Sequence, residues 1–425
     1  MQKDFIRIIR NVRLYFGIGA ITLVSCLLAF YAINEGLTLF LRNHPDLLMG
    51  EADRINENTR AIREKMIPPE KAVEWYDLER PEQVTEMWDE FYRATQMFES
   101  YTHFRPKPLM GNYYKVTEAG YRMTRDPGPW PPSADNFTVF FFGGSTAFGV
   151  GPAWATVASY LQEVMNKQGG VTGRKVYVYN FGRSGYMSTQ ELILFQNLLR
   201  DGHLPRMVVF LGGLNEFCWY DGQPSSWQML ARYFDQVNED YRAQMAGFGI
   251  VTRWDHLRDF FWSLPLVRAL NALGQRAASP AIPQYQKAPE VAIQTNEKPE
   301  SDEALKMVIA RYFHNLRQEE AISKTYGIIP VFVWQPIPTY HYDTRYHLFK
   351  PDRLDCHINS KVGYPMMAAQ VAKMPFNPGF IWAADIQQEL KEPFYVDAFH
   401  YSAPMSRRLA QFLNHEIGSR QLLRL

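Results

Sequence analysis

Apolar residues run unbroken near the start of the chain and then change period twice. From Leu14 to Ile33 twenty positions carry no charge, enough for a helix across a hydrocarbon core at about 1.5 Å per residue. Lys3, Arg7, Arg10 and Arg13 precede the run against Asp4 alone, and Glu35 follows it. This bias predicts a cytoplasmic N-terminus and an exported remainder. From Arg42 to about Phe104 the composition is charged and helix-favouring, with Val84, Met87, Trp88, Phe91 and Tyr92 at intervals of three and four. That spacing predicts one or two amphipathic helices with a packing role. Pro106 to Pro132 is irregular, with PKP, Gly111-Asn112 and PGPWPP, which reads as turns and loops.

A third rhythm then begins. Phe137 to Phe142 (FTVFFF) is an apolar run of the kind that buried parallel strands show. Thr156–Lys167 reads as a helix, Lys175–Asn180 as a strand, Thr189–Leu199 as a helix and Arg206–Leu211 as a strand. After an interruption from about Trp219 to Glu300, Asp302–Tyr326 reads as a long helix, Ile328–Trp334 and Phe380–Ala384 as strands, and Ser402–Ile417 as a closing helix. Strands alternating with such helices predict an α/β fold: three layers, α/β/α, around a central parallel sheet. The interruption is a helical and aromatic insertion containing Trp219, Tyr220, Trp227, Tyr233, Phe234, Tyr241, Trp254, Phe260, Phe261 and Trp262, followed by a Pro-, Ala- and Gln-rich stretch from Ala277 to Pro299. The predicted organisation is a cytoplasmic N-terminus over residues 1–13, an anchor over 14–34 and a helical and irregular juxtamembrane segment over 35–132. The main domain follows over 133–425, with the insertion at about 219–300.

Composition narrows the function classes. The 425 residues are 46% hydrophobic and 15% aromatic, ample for a sizeable core, and the formal net charge of +1 argues against a nucleic-acid partner. Of three cysteines, Cys26 lies in the apolar run, so Cys218 and Cys356 are the one pair available to the main domain. A disulfide between them and two buried thiols are both open readings. Leu23-Val24-Ser25-Cys26 looks like a lipoprotein box, but Leu27 to Ile33 stays apolar after it and no small-x-small cleavage site follows. An uncleaved anchor is therefore the preferred reading over a lipidated Cys26 or a removed signal peptide.

The chemistry gathers where strands end. The first strand of the alternation runs into Gly143-Gly144-Ser145-Thr146, a sharp turn that leaves a serine at the start of a helix, with backbone N–H groups beside it for a developing oxyanion. The second ends in Asn180-Phe181-Gly182-Arg183-Ser184-Gly185, and the third in Gly212-Gly213-Leu214-Asn215-Glu216. Near the C-terminus stands Asp397-Ala398-Phe399-His400, a carboxylate and an imidazole three residues apart. Asp397 is placed to fix the tautomer of His400, and His400 Nε2 to take the proton of Ser145. Each block alone is common turn material; their order and their positions after strands carry the weight.

In this order the four blocks resemble those of the SGNH (GDSL-like) hydrolase family, over roughly Phe137 to Ile417 outside the insertion. The resemblance implies a catalytic triad of Ser145, Asp397 and His400. It also implies an oxyanion hole made of the Ser145 N–H, the Gly185 N–H and the Asn215 side-chain amide. Two positions depart from the usual pattern: Gly144 stands where many members have Asp, and Glu216 where many have Asp after the asparagine. Rival motifs fail. Gly143 to Gly151 lacks the Gly-Lys-Ser/Thr ending of a phosphate loop and the Gly-x-Gly-x-x-Gly spacing. The Gly-x-Ser-x-Gly elbow is missing because Ala147 follows. His341, Asp343 and His347 have no other feature of a metal site beside them.

The expected function is an extracytoplasmic serine esterase working through an acyl-serine, removing or transferring O-acetyl groups on a carbohydrate. The alternatives are a lysophospholipase or thioesterase of the same type, and a non-catalytic glycan-binding subunit of an envelope complex. The expected location is the inner membrane, with a single pass and the catalytic domain in the periplasm or outside. The expected partners are an acylated substrate, the membrane and an envelope or polysaccharide-export complex. No metal or organic cofactor is expected.

Overall fold

The computed structural model of the chain describes residues 67–222, 299–348 and 358–424, together with 15–36 apart from 17, 27 and 34. Residues 63–234 and 289–425 belong to one compact unit. Its centre is a five-stranded sheet built from β5 (Phe137–Gly143), β6 (Val176–Asn180), β7 (Met207–Gly212), β8 (Ile329–Trp334) and β9 (Phe380–Trp382). All four pairings are parallel, in the order β6-β5-β7-β8-β9.

The apolar run of β5 is buried at every position because alternate side chains enter two different cores. Val139 and Phe141 pack with Val157, Leu161 and Met165 of α3 (Val157–Lys167) and with Leu409 and Leu413 of α8 (Ala403–Ser419). Phe140 and Phe142 face the other way. There they meet Phe195 of α4 (Ser188–Arg200), Val308 and Tyr312 of α6 (Asp302–Tyr326) and Tyr364 of α7 (Ile358–Val371). The result is the expected α/β/α layering. Each fully buried phenylalanine contributes roughly 2–3 kcal/mol.

Capping residues set the helix starts. Thr156, Ser301 and Ser402 accept hydrogen bonds from Ser159, Ala304 and Met405 N–H, at the heads of α3, α6 and α8. Gly327 ends α6 in the left-handed conformation.

Three elements differ from expectation. The helical pattern holds for α1 (Pro81–Arg93), whose Val84, Met87 and Trp88 are buried, but it stops there. Gln96–Glu99 (β1) and His103–Pro106 (β2) form an antiparallel hairpin where a second helix was an option. Leu109–Met110 (β3) and Lys115–Val116 (β4) pair inside the stretch read as irregular. α7 was not predicted, and it holds Gly363 and Pro365, two residues with low helix preference, inside it.

The predicted anchor at 14–34 is helical at its described positions, yet among the described residues no helix is long and apolar enough to cross a membrane. Most of the aromatic insertion, residues 223–298, lies outside the described residues. Cys218 is half-buried, and its candidate partner Cys356 lies outside the described set.

Candidate active site

Counted within the sheet the strand order is 2-1-3-4-5, which reverses direction between β5 and β7. The crevice beyond the carboxyl ends of such a pair is where open parallel sheets bind ligands. Ser145 follows β5 there, and Asn215 follows β7.

Ser145 is the first residue of the short helix α2 (Ser145–Phe148). Phe148 N–H bonds back to Gly144 O at 3.0 Å and Gly149 N–H to Ser145 O at 2.8 Å, so the turn is closed by its own backbone. Gly144 has no room for a side chain. A Cβ there would stand 2.2 Å from Asn215 Nδ2 and 3.2 Å from the Tyr186 carbonyl. Asn215 is thus seated against the residue before Ser145. Asn215 Nδ2 is held in place by Tyr186 O at 2.7 Å.

The loop carrying Gly185 is drawn to the same point. Arg183 N–H bonds to Gly143 O at 2.9 Å and Tyr186 N–H to Arg183 O at 3.2 Å. Gly185 is the third residue of that turn with φ of 75°, a conformation that favours glycine. The three predicted oxyanion donors, Ser145 N–H, Gly185 N–H and the Asn215 amide, thus come from blocks that meet around Gly143 and Gly144. We predict that Gly144→Ala displaces the Asn215 amide and lowers kcat by about 10²–10³, the usual cost of one lost donor. Steady-state kinetics with KM little changed would support this, and a fully active Gly144→Ala would contradict the seating of Asn215.

Asp397 and His400 form a pair. Asp397 Oδ2 lies 2.7 Å from His400 Nδ1, and both side chains are under one-fifth exposed. Asp397 Oδ1 accepts the backbone N–H groups of His400 at 2.8 Å and Phe399 at 3.1 Å. The turn is closed by Val396 N–H to His400 O at 2.9 Å. A carboxylate against Nδ1 places the proton there and leaves Nε2 as the acceptor. Among the described residues the buried His400 Nε2 has no hydrogen-bond partner, so it does not bond to Ser145 in this arrangement. Such bonds often tighten only in the substrate complex. The neighbours of the two residues share one group. Thr146 Oγ1 and Tyr401 OH both bond to Gln335 Oε1, at 2.6 and 3.0 Å.

Other supports were not visible in the motifs. Arg122, fully buried, donates to the carbonyls of Phe148 (2.7 Å), Gly149 and Gly151, just past the end of α2. Burial pulls its guanidinium down to about 10, still charged at neutral pH. Glu99 at the end of β1 pairs with the buried Arg183, and Tyr186 OH bonds to the Phe104 and Thr102 carbonyls. The β1–β2 hairpin therefore grips the Gly185 loop from outside.

Glu216 reaches Ser188 N–H at 2.6 Å and Ser188 Oγ at 3.1 Å, tying the head of α4 to the Asn215 turn. His341 and Asp343, set aside above as metal ligands, pair with other side chains: His341 Nδ1 lies 2.6 Å from Asp385, and Asp343 pairs with Arg345. A groove of about 710 Å³ bordered by Asp77, Glu392, Arg407 and His415 has none of the triad in its lining.

Glu191, Glu216 and Glu319 lie together, fully buried, behind this site. Burial first, and then mutual repulsion, holds the Glu191 carboxyl well above the usual range. Neither of its oxygens has a hydrogen-bond partner among the described residues. The folded state keeps a proton that the unfolded chain releases above about pH 4.3. Stability contributed by the neutral acid is therefore lost as pH rises from that value toward the folded one. Gln mimics the neutral acid, so Glu191→Gln is expected to match wild type near pH 5 and to raise Tm by about 3 °C at pH 8. Thermal melts at both values check this; an equal Tm difference at the two would show that Glu191 is ionised in the fold.

Three solved structures with a partly similar backbone are described as lipases or a lipase/acylhydrolase. A lipase from a goat rumen metagenome is 9% identical, with 66% of this chain and 97% of that chain covered and a TM-score of 0.37. A GDSL-like lipase from Bacteroides thetaiotaomicron VPI-5482 is 11% identical, covering 68% and 91%, with a TM-score of 0.30. A lipase/acylhydrolase from Enterococcus faecalis is 14% identical, covering 67% and 96%, with a TM-score of 0.29. No protein-family model matches the sequence, and no curated protein does.

Proposed function

We propose that this chain is a membrane-anchored serine esterase of the SGNH type, acting outside the cytoplasm on O-acetyl groups of a carbohydrate. One observation carries the chemistry: an imidazole whose Nδ1 is tied to Asp397 keeps a buried Nε2 with no partner among the described residues, and a serine starts a tight turn beside an anchored amide.

In the proposed reaction Ser145 Oγ attacks the ester carbonyl as its proton passes to His400 Nε2. The carbonyl electrons move to oxygen, where the Asn215 amide and the N–H groups of Ser145 and Gly185 stabilise the charge. Collapse breaks the bond to the alcohol, which leaves with the His400 proton, and the acyl group stays on Ser145. Water, deprotonated by His400, then releases the acid; a sugar hydroxyl in its place makes the reaction a transfer.

The location rests on the charge bias around residues 14–33 and on a described helical stretch whose apolar side chains, Phe16, Ile21, Leu23 and Tyr31 among them, are exposed. The carbohydrate rests on that location, where envelope and secreted glycans pass. Esters of increasing acyl length test the substrate class in the full-length protein. An acetyl specialist loses activity sharply beyond C4 and releases acetate from O-acetylated polysaccharide. Activity that rises with chain length would replace this reading with a lipase or thioesterase.

A further inference from the structure

We infer that Gln335 is a positioning residue that sets the spacing between nucleophile and base, an inference that rests on the triad proposed above. Ser145 and His400 are carried by separate parts of the chain and do not bond to each other at rest. Ser145 follows β5, while His400 sits on the turn between β9 and α8. Their spacing must therefore be fixed by other groups.

Gln335 is 2% exposed and directly follows β8. Its backbone is held on both sides, with N–H to Gly212 O at 3.0 Å and its carbonyl accepting Tyr364 OH at 3.0 Å. From that fixed base the side chain spans to the turn beyond β5, although β7 lies between β8 and β5 in the sheet. Its Oε1 takes the Thr146 hydroxyl, one residue after the nucleophile, and the Tyr401 hydroxyl, one residue after the base. The single phenolic proton of Tyr401 is shared with the Pro336 carbonyl at 2.7 Å, which anchors the base turn to the same segment.

Thr146 and Tyr401 are themselves buried, so losing the shared acceptor leaves the Thr146 hydroxyl to find a new partner and Tyr401 tied to the Pro336 carbonyl alone. Either turn can shift to do so. A shift of about 1 Å between reacting groups is enough for a loss on the order of 10² in rate. The amide of Gln335 touches no reacting atom in this account; it acts through Thr146 and Tyr401.

The test uses full-length protein and p-nitrophenyl acetate, with Gln335→Met, Thr146→Val and the double variant, each checked for folding by thermal melting. Gln335→Met keeps the length and removes the acceptor. It is expected to lower kcat about 30-fold with KM within about twofold of wild type. Thr146→Val, which barely alters volume, is expected to lower kcat in the same way by a smaller factor. The double variant is expected to be no worse than Gln335→Met, because both changes remove one shared bond.

A folded Gln335→Met with wild-type kcat overturns the inference. So do two single losses that multiply in the double variant, since these would mark independent structural defects. If Gln335→Met does not fold, Thr146→Val alone decides: wild-type kcat in that variant also overturns it. Wild type without turnover above Ser145→Ala is a different failure, visible before any Gln335 variant is compared, and it removes the esterase reading and this inference together.

Discussion

Ser145→Ala is expected to lower kcat for p-nitrophenyl acetate by about 10⁴–10⁶ in a protein that melts at the wild-type temperature, because the nucleophile, base and acid of the proposed triad act as a unit. The fold gives reasons to expect the loss without unfolding. Ser145 is only partly buried, and the turn around it is closed by backbone bonds from Phe148 and Gly149 rather than by its hydroxyl. Removing Oγ leaves the Asn215 amide seated against Gly144 and the Arg122 clamp on the carbonyls beyond α2. Steady-state kinetics beside a melting curve checks both halves. Equal rates above background would move the nucleophile elsewhere, and no turnover in either protein would favour the glycan-binding alternative.

The second large effect is at Asp397. Asp397→Asn is expected to cost about 10⁴ in kcat, the scale seen when the triad acid of a serine hydrolase loses its charge. Asparagine can keep the oxygen that accepts the Phe399 and His400 N–H groups, so the turn survives. The atom facing His400 Nδ1 at 2.7 Å then becomes an NH₂ donor. A donor there favours the tautomer protonated on Nε2, and that nitrogen can no longer take the Ser145 proton. Rate measurements with the variant check this, and a loss under tenfold would show that Asp397 does not set the tautomer.

Much of the sheet was legible because burial on both faces writes itself as uninterrupted apolar runs. FTVFFF gave β5 and RMVVFL gave β7, within a residue of their observed ends. The helices that cover the sheet were legible where serine or threonine caps stand before them, as at Thr156 and Ser301. α7 was hidden by Gly363 and Pro365, whose local preferences were overridden by tertiary packing on Phe217 and Trp334. The β1–β2 hairpin was hidden because four-residue strands such as QMFE and HFRP are too short to show a period.

The site followed the same division. Ser145, Asp397 and His400 stood out because their residue types are placed after strands, and the Asp397–His400 contact is local in sequence. What holds the blocks together was not legible. Gln335 lies 189 residues from Thr146, Arg122 lies 26 from Phe148, and Glu99 lies 84 from Arg183. Single polar residues in apolar surroundings carry no motif, and only their partners in the fold give them a role. Glu216 shows the point: in sequence it is a departure from a pattern, and in the fold it is the acceptor that fixes the head of α4.

The most direct test of the central claim needs no knowledge of the natural substrate. Full-length protein is treated with a fluorophosphonate, which phosphonylates a serine activated by a neighbouring base, and the modified residue is located by peptide mass spectrometry. One adduct is expected, on Ser145, absent from Ser145→Ala and much slowed in Asp397→Asn. No adduct on a folded protein, or an adduct on another serine, would contradict it.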